Sequence, residues 1–325
     1  MHKVLFILNY DSKIGIGHLS RCSVIAECYK KNSHSPHLLT RKGSSSESEK
    51  LNSFDHIHLY NKESFLQDLV KLIKKFNFST IIIDDYSIDH EEILKNIEKN
   101  IKVLRFDLNP YKRDNISSII NYNPSYKIDD DLNHLLGPNF ILIDDKFKNL
   151  KEKRKSDEVF IFFGGGSDHS AIEKYKDYFN FLASKHSKIN IAITSMYKNK
   201  DSILKKYKDN KSFRVLLDAK SFATTLNNSM FAFISGGTIT YESAFLNIPM
   251  QIVTVAKNQI KQSEAWDNNN NARYVGDIES VDSFMLKNSY EKFFTNQDLI
   301  NKWFKYRKIN VDGLGAERIM NYTIK

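Results

Sequence analysis

Short apolar runs rich in Ile, Leu, Val and Phe alternate along the whole chain with longer stretches in which apolar positions recur at helical spacing. A parallel sheet covered on both faces needs near-continuous apolar strands, and each crossover helix needs one apolar stripe, so the alternation predicts βαβ units. Strands are expected at Lys3–Leu8, Pro36–Leu39, His56–Leu59, Thr80–Asp84, Ile101–Phe106 and Ser117–Asn121, with helices at His18–Lys31, Glu63–Lys75 and His90–Glu98. The second half repeats the rhythm. Strands fall at Glu158–Phe163, Ile189–Ile193, Phe213–Leu217, Met230–Ile234 and Met250–Val255. Helices fall at Ala171–Ser184, Ser202–Lys208, Ala219–Asn227, Thr238–Leu246 and Gln259–Asn271.

Between Lys148 and Lys155 runs Lys-Asn-Leu-Lys-Glu-Lys-Arg-Lys, which has no core face, and a new strand follows at once. This divides the 325 residues into an N-terminal domain, 1–150, and a C-terminal domain, 156–325, whose last helix can return to the first. Both are read as Rossmann-like α/β domains, and their strand C-termini put the functional loops on either side of one interdomain cleft.

Composition removes several classes. At 41% hydrophobic and 27% charged residues the chain is neither disordered nor fibrous. The net charge of +9 comes mostly from Lys spread evenly, without Arg-aromatic interleaving, so dedicated nucleic-acid binding is not expected while an anionic small substrate is compatible. Cys22 and Cys28 lie on nearly opposite sides of one expected helix and suggest a reducing compartment. The apolar run near the N-terminus, Val4 to Leu8, is too short for a signal segment, and no later run reaches a membrane span, so a cytoplasmic protein is expected; separately, a monomer is expected.

Four loops can carry chemistry. Gly15-Ile16-Gly17-His18-Leu19-Ser20-Arg21 follows the first strand; Ser20 stands where a dinucleotide fingerprint wants its third Gly, so no dinucleotide cofactor is expected. A helix start favours neutral imidazole, so His18 is either a general base or a plain polar contact. Ile83-Asp84-Asp85-Tyr86 ends the fourth strand; the acids can serve a divalent metal but read better as solvated turn carboxylates, since no ligand partner stands at an obvious spacing, and no metal is expected. Gly164-Gly165-Gly166-Ser167-Asp168 can form an anion-binding nest, yet lacks the Lys of a Walker loop. Ser235-Gly236-Gly237-Thr238 leads to Glu242, a carboxylate suited either to a ribose hydroxyl pair or to the helix dipole. Lys257-Asn258-Gln259 adds amides that can bind a sugar.

In this order, with Gly-Pro-x-Phe at 137–140 and Asp312-Gly313-Leu314-Gly315-Ala316-Glu317-Arg318 near the end, the motifs resemble the bacterial UDP-2,4-diacetamido-2,4,6-trideoxy-β-L-altropyranose hydrolases. These relatives of the MurG-type glycosyltransferases have the GT-B fold. The resemblance covers nearly the whole chain. It implies that His18 activates water, that Tyr86 and Asn258 stand around the sugar, and that Gly15, Gly17 and Arg21 of the first loop bind the substrate. It places Gly164 to Ser167 and Ser235 to Thr238 at the diphosphate, with Glu242 and Gln259 near the nucleotide. The implied reaction is metal-free, inverting cleavage of the anomeric C–O bond, releasing UDP and a free sugar for pseudaminic-acid-type nonulosonates of surface polysaccharide and flagellin glycosylation.

Two positions depart from that pattern. Many relatives carry Arg-x-Asp where this chain has Ile7-Leu8-Asn9, and Asp85 stands where relatives often have another residue, including His. Two other functions fit the same loops: a GT-B glycosyltransferase with a UDP-sugar donor, and a non-catalytic nucleotide-sugar binding protein.

Overall fold

The computed structural model describes residues 1–10, 17–43, 48–107, 117–126, 134–150, 156–165, 170–295, 298, 300–301 and 305–324. The chain forms two compact units, Met1–Leu142 with Gly313–Lys325, and Ile143–Asp312. The charge run at 148–155 begins after the first unit has ended at Leu142; its residues 151–155 lie outside the described set.

In the first unit a parallel sheet has the order β3-β2-β1-β4-β5-β6-β7. Its strands are β1 (Lys3–Leu8), β2 (Ser35–Arg41), β3 (His56–Tyr60), β4 (Thr80–Asp84), β5 (Lys102–Phe106), β6 (Ser117–Asn121) and β7 (Leu135–Leu136). The order explains the composition of the strands. Central β1 and β4 are buried along almost their whole length, while edge strand β3 exposes Ile57 and Leu59. The helix Gly17–Lys31 crosses from β1 to β2 and buries Leu19, Cys22, Ile25, Ala26 and Tyr29. Both cysteines are buried, and neither is in a disulfide.

The C-terminal helix Gly315–Ile324 packs on this unit although nearly the whole of the second unit intervenes in sequence. Tyr29 bonds Thr323, Cys28 Sγ lies 3.9 Å from Met320 Sδ, and Lys102 Nζ donates to the Tyr322 carbonyl at 2.8 Å.

The second unit has the order β10-β9-β8-β11-β12-β13, again parallel. Its strands are β8 (Glu158–Phe162), β9 (Lys188–Ile193), β10 (Phe213–Leu217), β11 (Phe231–Ser235), β12 (Met250–Thr254) and β13 (Arg273–Asp277). Phe233 on β11 centres an aromatic core, with Phe163, Tyr175 and Tyr178 edge-on to it at 5.2–5.6 Å.

Most element boundaries agree with the sequence reading to one or two residues; the helix expected from Ala219 begins at Phe222, and three further helices differ as follows. The helix expected over Ala171–Ser184 is two, Ala171–Lys174 and Lys176–Ala183, because Tyr175 leaves helical geometry (φ −99°, ψ 18°) with its side chain fully buried. The helix expected to reach Glu98 ends at Asn96, where Ile97 turns extended. The helix expected over Gln259–Asn271 spans Ile260–Asn268, after a 3-10 turn at Lys257–Gln259. No helix among the described residues is long and apolar enough to cross a membrane.

Candidate active site

In each unit the strand order reverses direction once, between β1 and β4 in the first and between β8 and β11 in the second. At such a switch point the loops leaving adjacent strand ends diverge to opposite faces and open a crevice. The candidate groups of both units lie at these points.

In the first unit Leu8 pairs with Asp84, so the end of β1 stands beside the end of β4. The helix starting at Gly17 returns His18 and Arg21, one turn apart, to the β4 end. His18 Nδ1 is 2.7 Å from Asp84 Oδ1; the Arg21 guanidinium grips both oxygens of the same carboxylate through Nε and a terminal nitrogen. Asp84 is fully buried, whereas the His18 and Arg21 side chains keep 18% and 24% exposure. Burial opposes ionisation of Asp84, yet the charge and hydrogen bonds of Arg21, helped by His18, hold its carboxyl below the usual range. Cys22 Sγ lies 3.6 Å from Asp84, and burial with that negative neighbour pushes its thiol well up.

An ionised carboxylate only accepts hydrogen bonds, so the Nδ1 that touches Asp84 carries the proton of that contact, and Nε2 is the ring nitrogen not engaged by the carboxylate. Arg21 also donates to the Tyr86 hydroxyl at 3.1 Å and lies 4.6 Å above the Phe106 ring. Tyr86 packs edge-on against His18, ring centres 5.3 Å apart, with 49% of its surface exposed. Tyr122 is buried near this cluster, and its phenol is pushed up to about 12 by desolvation.

Here the sequence reading needs correction. The acids at the end of β4 are not solvated: Asp84 is 0% and Asp85 6% exposed. Desolvating a carboxylate is tolerable only because Arg21, three residues after His18, arrives to pair with it. Asp84, which the sequence reading preferred as a turn acid, thus joins the candidate site, and Arg21, expected at the substrate, commits its fork to this carboxylate. The two departures from the family pattern meet each other: Asn9 donates to Asp85 Oδ2 and to the Tyr60 hydroxyl, and accepts from Arg41 N at 2.8 Å. Asp85 also accepts from Ser87 N at 2.8 Å, so Asn9 and Asp85 form a neutral-acidic brace beside the His18 cluster.

In the second unit Ile234 pairs with Phe162, so Gly164-Gly165 and Gly236-Gly237 follow adjacent strand ends. A Cβ at Gly236 would stand 2.2 Å from Ser263 Oγ and 3.0 Å from Gln259 Cβ, so no side chain fits there. Gln259 Oε1 accepts from Val255 N at 2.9 Å, which aligns its amide beside Gly237. Thr238 is exposed, and Glu242, one turn later in the helix Ile239–Phe245, is half-buried. Asn258 stands exposed in the 3-10 turn Lys257–Gln259.

The structure therefore brings His18, Arg21 and Tyr86 together in one unit, and Gly236, Gly237 and Gln259 in the other. Gly17 opens the first helix; Gly15, Gly166 and Ser167 lie outside the described residues. Among the described residues no group of three His, Cys, Asp or Glu has the arrangement of a metal site.

No protein-family model matches the chain. In sequence it is similar to the UDP-2,4-diacetamido-2,4,6-trideoxy-β-L-altropyranose hydrolase of Campylobacter jejuni, 28% identical over 279 residues, 81% of this chain and 95% of that protein. An uncharacterized protein of Methanocaldococcus jannaschii is 24% identical over 312 residues, 89% of this chain, which spans 61% of that protein's length. Among solved structures, the glycosyltransferase of kitacinnamycin matches with a TM-score of 0.71 at 11% identity, covering 99% of each chain. Acinetobacter baumannii MurG matches with 0.64 at 10% identity, over 99% of this chain and 100% of that one. A Neisseria meningitidis UDP-GlcNAc 2-epimerase matches with 0.67 at 13% identity, over 99% of each chain. At these identities the likeness concerns the fold, which is GT-B-like with two Rossmann-like units, as the sequence led us to expect.

Proposed function

We propose that the chain is a UDP-sugar hydrolase that cleaves the anomeric C–O bond of a UDP-activated 2,4-diacetamido-2,4,6-trideoxy sugar, as the name of its Campylobacter relative suggests. The observation that carries the reading is the 2.7 Å contact of His18 Nδ1 with the buried, Arg21-paired Asp84. It fixes the ring with Nε2 turned away from the carboxylate, which is the alignment that a base taking a proton from water requires.

In the proposed reaction a water oxygen bonds to the anomeric carbon while the bond to the diphosphate oxygen breaks. The water proton passes to His18 Nε2, and UDP leaves with the electron pair of the broken bond. A single displacement inverts the anomeric centre. Amides of the glycine turns at 164–165 and 236–238 receive the diphosphate, Glu242 and Gln259 the nucleoside side, and Tyr86 and Asn258 the sugar. Stabilising the departing diphosphate with fixed donors is the larger task, and general-base help adds about 10²–10⁴-fold. Two carboxyl-edge loops and one imidazole suffice for this, so turnover should persist in chelator.

The test is release of UDP from candidate UDP-sugars, with and without added acceptors, in chelator and with magnesium. Acceptor-independent release in chelator, with the free sugar as co-product, is expected. Release only with an acceptor would replace the reading by a glycosyltransferase, and UDP binding without turnover of any candidate would leave a nucleotide-sugar binding protein. Release only with added metal would remove the metal-free mechanism.

A further inference from the structure

Both glycine turns of the second unit have their carbonyl oxygens tied by side chains that none of the motifs contains. Tyr197 Oη donates to the Gly164 carbonyl at 2.9 Å, and Thr194 Oγ1 to the Gly165 carbonyl at 2.7 Å. At the neighbouring turn Gln262 Nε2 donates to the carbonyls of Gly236 and Gly237 at 3.0 and 3.1 Å and to Thr240 Oγ1 at 2.9 Å. Gln262 is itself held, because the Tyr241 hydroxyl donates to its Oε1 and Trp266 Nε1 anchors Thr240 Oγ1 at 3.0 Å. Tyr197 and Gln262 are 1% and 9% exposed, so they act from inside the fold.

A trans peptide is rigid, and its N–H points opposite to its C=O. Fixing the carbonyls of Gly164, Gly236 and Gly237 toward the interior therefore fixes the amides of Gly165, Gly237 and Thr238 the other way. Glycine peptides otherwise rotate at little steric cost, as Gly164 at φ +117° illustrates, and a rotated turn would offer a carbonyl oxygen to an anion. Among the described residues none of these three amides donates a hydrogen bond. A second observation points the same way. Ser235 Oγ is buried, has no hydrogen-bond partner among the described residues, and lies 3.7 Å from where a Gly237 Cβ would stand. A buried hydroxyl without a partner is costly unless a ligand supplies one.

We infer that Tyr197, Thr194 and Gln262 are positioning residues that lock both glycine turns in the peptide orientation that receives the diphosphate of a nucleoside diphosphate. The inference rests on the sugar-nucleotide reading above and adds what makes two flexible glycine turns selective for that group. The nucleoside is not recognised through these peptides, so loss of the lock weakens diphosphate binding and spares the nucleoside.

The test compares UDP and uridine binding, by ligand-observed NMR titration, for the unsubstituted chain, Tyr197→Phe and Gln262→Met, with melting temperatures alongside. Each variant removes donors and nearly conserves volume. UDP affinity should fall about tenfold while uridine affinity stays within about twofold, so the UDP-to-uridine ratio collapses at a melting temperature close to the parent's. A merely structural role would lower both affinities together or neither; an unchanged ratio in both variants overturns the inference. If Gln262→Met does not fold, Tyr197→Phe alone decides by the same ratio. Absence of UDP binding by the unsubstituted chain would overturn the sugar-nucleotide reading and this inference with it, whereas parental UDP binding that survives in the variants overturns the inference alone.

Discussion

In the first unit the groups able to act are side chains: a partly exposed imidazole and guanidinium meet on one buried carboxylate in an electrostatic knot, with Tyr86 edge-on to the imidazole. In the second unit they are peptide groups, and the side chains around Gly164-Gly165 and Gly236-Gly237 serve as neutral hydrogen-bond donors to the carbonyls of the turns. The first arrangement is suited to moving a proton, because a charge change at His18 is felt at once by Asp84 and Arg21. The second is suited to holding an anion without changing charge itself, since peptide dipoles do not titrate. The difference predicts that the two regions fail in different ways when single residues are changed.

The largest effect should come from Asp84→Asn, which removes the charge that pairs Arg21. Breaking a buried pair by deleting one partner costs about 3–5 kcal/mol, and the low end applies here because Arg21 keeps 24% of its side chain in solvent. Urea unfolding should show that loss, and turnover should fall as well because His18 loses its aligning partner. Parental stability in this variant would mean that the knot is not the electrostatic unit described here.

His18→Asn separates chemistry from folding. The imidazole is partly exposed at the start of a helix, so stability should change little, while UDP-sugar hydrolysis should fall at least ~10²-fold, or about 2.7 kcal/mol of transition-state stabilisation. UDP binding should persist. Substantial turnover with binding intact would leave His18 as a polar neighbour.

Glu242→Ala probes the second unit. Loss of one charge-assisted contact to the nucleotide should weaken UDP about tenfold, with a stability change of only ~0.3–1 kcal/mol for a first-turn acid. Calorimetry that returns parental UDP affinity would remove Glu242 from the site.

The contrast also explains what could be read in the sequence. The glycine turns and most strands were legible because their signals are local: a buried strand, then Gly-Gly, then a helix. The partnership of His18 with Asp84 was not, since it joins positions 66 residues apart and depends on β4 lying beside β1. Lacking that, Asp84 reads as a turn acid. Tyr197 and Gln262 were invisible for another reason: they bond backbone carbonyls, which leave no side-chain signature. Edge strand β13 escaped notice because Arg-Tyr-Val-Gly-Asp is half-buried throughout, contains Gly276 at φ +144° and pairs with a register shift at Ile252/Val253. The helix Gly315–Ile324 has a clear apolar stripe, but which unit it covers is decided by tertiary contacts such as Tyr29 with Thr323.

The smallest effect expected is in pH dependence, and it sharpens the comparison most. Asp84 has its folded pKa pulled below the value of about 3.9 at which an unfolded Asp titrates, burial being outweighed by Arg21 and His18. A folded state that binds its proton less readily than the unfolded chain gains stability that is fully present above the unfolded pKa and is lost as pH falls through the lower folded one. The stability gap between the parent and Asp84→Asn should therefore narrow as the pH falls below about 4. Gln262→Met alters no ionisable group, so its gap from the parent should not move over the same range. Urea unfolding of the three proteins at each pH makes the comparison. A narrowing gap for Asp84→Asn beside a flat one for Gln262→Met is the expected pair. A flat gap for Asp84→Asn down to pH 3 would mean that Arg21 and His18 do not hold that carboxyl ionised, and the donation assigned to His18 Nδ1 would lose its physical basis.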